Sequence, residues 1–166
     1  LNELTPRLKP LFQIEELSVN TPDAWQRVDT FLNQGEASQD RLVLFSLVPQ
    51  RLSLLRLKDP TSARQMMPYF HSELYRSLTV SIVDHVVLEK VLELSDSSHE
   101  TALAYTYDRQ DAVSKVSDQE YQLAILLGPV RVEVVKAIAD AGDRMPRKST
   151  YFYPKLPSGL VLYRLA

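Results

Sequence analysis

The sequence predicts an α/β (α+β) fold, a mixed β-sheet of about six strands with helices packed on it. Two observations lead there. Short apolar runs rich in branched residues alternate with segments whose apolar residues recur at helical spacing. Proline and glycine punctuate the boundaries, and the four glycines (35, 128, 142 and 159) each stand alone at the end of an element. A chain of 166 residues fits one domain, 1–166, large enough to bury a core without metal or disulfide support.

Taken in order, Phe12–Val19 alternates loosely and reads as a strand. Thr21-Pro22 predicts a helix start, with Trp25, Val28, Phe31 and Leu32 on one face and Gly35 ending it. Arg41–Val48 and Leu52–Lys58 are apolar runs separated by Pro49-Gln50, so they pair as an antiparallel hairpin. Alternation fails at Leu54-Leu55, where a bulge would turn both residues inward. Asp59-Pro60 starts a short helix that Pro68 stops, and another helix follows from about Ser72. Ile82, Val83, Val86, Val87, Val91 and Leu94 then form an apolar stripe that Lys90 interrupts.

Ser95-Asp-Ser-Ser-His99 is the clearest loop and a seam at 95–100. Ala102–Tyr107 reads as a strand, and Asp108 caps a helix to about Ser117. Tyr121–Leu127 reads as an interior strand, with Leu123, Ile125 and Leu127 buried beside Val134 and Ile138. A helix from Gly128-Pro129 to Gly142 and a strand at Gly159–Leu165 complete the order β-α-β-β-α-α-β-α-β-α-β.

The absence of cysteine excludes a disulfide scaffold or thiolate metal site and makes the cytoplasm the expected location. No apolar run is long enough to span a bilayer. A formal charge of −2 argues against sequence-independent nucleic-acid binding. Clustered glycines for a phosphate-cradling loop are missing, so no cofactor is indicated. His71, His85 and His99 lie fourteen apart, and no pair has metal-ligand spacing; each reads as a surface or satisfied histidine. No serine stands in a nucleophile-elbow context, and Glu89 with Glu93 reads as a solvated acidic face. The residues therefore nominate no catalytic group and no metal ligand.

The C-terminal stretch differs from the rest. From Arg144 onward there are five cations and no carboxylate, whereas the preceding 143 residues carry 14 Lys and Arg against 21 Asp and Glu. Its candidate chemistry is anion binding over 145–155: Arg147, Lys148 and Lys155 supply charge, Ser149 and Thr150 supply hydroxyls, and Tyr151 or Tyr153 supplies a ring wall. The plain alternative is a surface crossover whose aromatics pack inward and whose cations stay in water.

Met145-Pro-x-Lys-Ser-Thr-Tyr-Phe-Tyr-Pro-Lys-Leu-x-x-Gly-Leu-Val resembles the C-terminal signature of a prokaryotic domain-of-unknown-function family, number ten-fifteen. The likeness extends through Asp140-Ala-Gly-Asp-Arg-Met145, Tyr105-Thr-x-Asp108 and Ser77-Leu-x-Val-Ser81, covering at least the second half. Asp84 and Tyr107 stand where that pattern often has histidine. The resemblance implies the C-terminal part of a longer protein, whose upstream region would carry a ParB-like Asp-Gly-His-His-Arg segment that is absent here. The leading expectation is an accessory domain that completes a ligand site, with its own upstream domain and a small phosphorylated or acidic ligand as partners. The rival is part of a phosphoryl-transfer enzyme acting on a small amino or hydroxy acid, with its catalytic groups upstream.

Overall fold

A computed structural model describes residues 4–34, 40–46, 50–94 and 101–151. Helix α1 (Leu4–Leu8) leads into β1 (Phe12–Ser18), α2 (Ala24–Asn33) and the strands β2 (Arg41–Ser46) and β3 (Arg51–Leu57). Short helices α3 (Pro60–Gln65) and α4 (Glu73–Arg76) follow, then α5 (Thr79–Ile82), which runs on into a π-helix at Val83–Val91. Helix α6 (Arg109–Ser117), strand β4 (Leu123–Leu127) and helix α7 (Val132–Asp140) complete the described chain.

The described strands form one antiparallel sheet in the order β1-β3-β2-β4. Both of its faces are covered, which explains the continuous apolar runs. Along β2, Leu42 and Leu44 join one core with α1, α3 and the π-helix, while Val43 and Phe45 join a second with α2 and α6. The first core buries Phe12, Leu55, Ile82, Val86 and Val87; the second buries Val28, Leu52, Leu54 and Val116. Each such side chain contributes roughly 1.5–3 kcal/mol when removed from water. The result is a three-layer arrangement with the sheet in the middle.

Several expectations are corrected by this arrangement. Leu54 and Leu55 are both buried without a bulge, because β3 pairs in unbroken register on both sides and each leucine enters a different core. Ala102–Tyr107 forms no strand; only Leu103 is half-buried there, so the segment has too little apolar surface to join a sheet. Among the described residues the sheet therefore has four strands, and the strand expected at 159–165 lies outside them. Strand β4 is hydrogen-bonded to β2 alone within that set, and the face carrying Leu123, Ile125 and Leu127 is only half-buried, while Ala124 and Leu126 are buried. Ile138 is buried as expected, but Val134 is half-exposed. The Gly35 helix end, the Pro49 break and the 95–100 seam fall wholly or largely outside the described residues.

Local chemistry sets the element ends. Asp59 and Asp108 cap α3 and α6 by accepting from the Thr61 and Gln110 amides, and Ser72 caps α4 through Tyr75 N–H. Helix α2 begins later than Thr21-Pro22 suggests, since Thr21 closes a turn onto Ala24 and Asp23 takes a left-handed conformation. Lys90 is exposed because the wider π turn rotates it out of the apolar stripe. Arg7 of α1 donates to the Val91 carbonyl and pairs with Glu93, fastening α1 to the end of the π-helix.

Gly128 marks a close approach to α2. A Cβ there would lie 2.8 Å from the Leu32 carbonyl oxygen of α2, a backbone atom with no freedom to swing aside. Gly128→Ala should therefore lower stability by about 1–3 kcal/mol in urea unfolding. An unchanged unfolding midpoint would mean that the α2–β4 junction is slack.

Candidate acid–base site

At the end of α7 the chain makes a left-handed turn at Gly142, with φ 73°. Gly142 N–H donates to Ala139 C=O and Asp143 N–H to Ile138 C=O, the paired bonds of a Schellman cap. This cap projects Asp143 towards the start of α4, the helix on which α7 packs. One carboxylate oxygen of Asp143 lies 3.1 Å from His71 Nδ1 and accepts from the Arg144 amide; the other accepts from the Ser72 amide at 2.8 Å. Burial alone would raise the Asp143 pKa. The Ser72 and Arg144 amides, with His71, overrule it and hold the carboxyl well below its ordinary 3.8. Asp143 is thus an anion at neutral pH, and the proton on His71 sits on Nδ1 facing it. Nε2 is left as the second ring nitrogen, on a side chain that is 19% exposed.

The Tyr75 ring stacks on His71, with centroids 3.7 Å apart and planes within 8°. Its hydroxyl lies 3.3 Å from His85 Nε2, and His85 Nδ1 lies 2.9 Å from a Glu89 oxygen. Burial first, and then the charges of Asp84, Asp143 and Glu89, push the Tyr75 pKa up to about 12. The phenol is therefore neutral, and its hydroxyl shares one hydrogen bond with His85 Nε2 while His85 Nδ1 faces the Glu89 carboxyl. Ser81, wholly buried, lies close enough to favour the phenolate, yet its Oγ completes no hydrogen bond of ordinary geometry. The two imidazole centroids are 6.1 Å apart. Two carboxylate-held histidines thus share one tyrosine between them.

The cationic loop follows Asp143 directly in the chain. The charges of Asp84 and Arg147 both act on Tyr105, and Asp84 also acts on Tyr75. Tyr151 stacks on Tyr107 at 4.5 Å, so the loop meets the 103–108 segment. Arg147, Lys148 and Thr150 are exposed, and Lys148 is left-handed with φ 58°. The Ser149 hydroxyl donates to the Pro146 carbonyl at 2.7 Å, which uses its proton locally. Tyr153 and Lys155 lie outside the described residues.

His71 and His85 are satisfied histidines, each held by a carboxylate, and the structure adds that they share one cluster. The break between α4 and α5 folds the chain back, so a fourteen-residue gap becomes a ring-to-ring contact distance. The i,i+4 spacing of His85 and Glu89 was one available signal, although Glu89 had been grouped with Glu93. Instead, Glu93 pairs with Arg7. Among the described residues, no group of three or more His, Cys, Asp or Glu side chains is placed to hold a metal. No family profile, curated protein or solved structure matches the chain.

Since the folded pKa of Asp143 lies below the unfolded one, its stabilisation is present above the ordinary value and is lost as pH falls from there through the folded value. Asp143→Asn should cost about 1–3 kcal/mol near neutral pH, because the Ser72 and Arg144 amides and His71 lose a charged acceptor and the new amide NH2 faces at least one of these donors. The deficit should shrink when unfolding is measured well below pH 3.8. A deficit that stays constant over that range would show that charge at Asp143 does not stabilise the site.

Proposed function

We propose that this domain supplies the acid–base group of a ligand site, with His71 Nε2 as the atom that accepts or delivers the proton. The observation behind this reading is the Asp143–His71 pair, in which a fixed anion holds the proton on Nδ1 and leaves Nε2 as a base in the neutral ring. Tyr75 keeps the ring plane fixed, and His85 with Glu89 keeps Tyr75 fixed. Such support limits the reorientation needed at the moment of proton transfer.

The ligand is a small acidic molecule. Its negative group meets the loop of Arg147 and Lys148, whose field reaches Tyr105. In this role the domain completes a site rather than forming all of it, and further groups come from an upstream domain of the same protein.

Two measurements test the reading. Nitrogen-15 NMR should find neutral His71 and His85 in the Nδ1–H form, the minority tautomer of free histidine. A His71 ring protonated on Nε2 would remove the base. Thermal-shift screening with phosphoserine-like and other small acids, on the chain alone and joined to its upstream domain, should give stabilisation that His71→Gln abolishes and Lys148→Ala weakens. Stabilisation that is indifferent to His71→Gln would place the ligand elsewhere.

A further inference from the structure

The aromatic side chains left exposed among the described residues are not scattered. Tyr69 and Phe70 directly precede His71, while Tyr105, Tyr107 and Tyr151 lie in two further segments, where Tyr107 stacks on Tyr151. Phe70 is 72% exposed, yet its ring centroid lies 4.5 Å from that of His71. Tyr69 meets Phe70 edge-on at 6.0 Å and is 90% exposed. Tyr105 is half-exposed, and the charge of Asp84 acts on it as it does on Tyr75. A fold that buries Phe12 and Phe45 almost completely leaves Tyr69 and Phe70 in water beside its most structured polar cluster.

We infer that the group presented to His71 is carried on a planar aromatic ring, which seats on the outer face of Phe70 and donates an N–H to His71 Nε2. This deepens the acid–base reading and rests on it, since the Nε2 lone pair is what selects a ring bearing a donor. Stacking on Phe70 supplies the affinity, and the hydrogen bond supplies the orientation. Tyr69 shields the ring edge. A saturated ring of the same size has no π-face to offer and loses most of the first contribution.

The probe is benzimidazole, which is flat, neutral near neutral pH and carries one N–H. Its N-methyl derivative keeps the ring without the donor, and cyclohexanol keeps a donor without the ring. Titrations followed by NMR on the intact chain should show benzimidazole shifting Phe70, His71 and Tyr105. Phe70→Ala should weaken binding about tenfold, while Phe70→Tyr retains it. The methylated ring should bind about fivefold more weakly than benzimidazole, a loss expected for one orienting hydrogen bond. Phe70 is mostly exposed, so an unchanged melting temperature confirms that Phe70→Ala is folded.

The inference is overturned if benzimidazole does not bind, if Phe70→Ala binds it equally well, or if cyclohexanol matches it. Any of these with His71 still in its Nδ1–H form leaves the proton-transfer reading standing. Conversely, an Nε2–H tautomer, with both rings binding alike, removes the acceptor and sinks both together.

Discussion

The Asp143 carboxylate joins parts of the chain that share no strand. It sits just past the end of α7, and its oxygens take hydrogen bonds from the start of α4 and from its own neighbour. The amides that hold it would otherwise lack acceptors at a helix entry, so its charge satisfies the backbone and the imidazole at once. Without that anion, the tautomer of His71 would be unspecified, and stacking on Tyr75 would fix the ring plane but not its proton. Gly142 matters for the same reason: its left-handed turn aims Asp143 at α4.

The π-helix is the second constraint. Its turns hold more residues than α turns, so Val83, Val86, Val87, Leu88 and Val91 all reach the first core while His85 and Glu89 face the site. An α-helical continuation would bring Lys90 back towards the apolar stripe. A helix that must bury five residues and also present a hydrogen-bonded pair is easier to build with the wider turn.

Those aspects of the structure that are written in local patterns were legible in the sequence. The hairpin of β2 and β3, the Asp59 and Asp108 caps and the glycine at 142 follow from neighbouring residues alone. What was not legible depends on layers meeting. Leu54-Leu55 looked like a fault in alternation only because a sheet covered on one face was assumed. Residues 102–107 have strand-like composition, but no partner edge reaches them among the described residues. The site was hidden for a related reason. Its members come from positions 71, 75, 85, 89 and 143, and spacing reveals only the two four-residue steps, His71–Tyr75 and His85–Glu89, not that they meet each other or Asp143. The cationic loop is marked by composition, and its Tyr151 stacks on Tyr107.

Strand β3 lies between two hydrogen-bonded neighbours, with leucines buried on both of its faces. Its amides can meet solvent only when the whole domain opens, so they belong to the slowest class in hydrogen exchange. The histidine cluster rests instead on a four-residue helix, one turn past α7 and the outer side of the π-helix. Those segments can open and reclose at far smaller cost than the slab beneath them. The protein thus separates a slab that yields only with the whole fold from a cluster whose order depends on its own side-chain contacts.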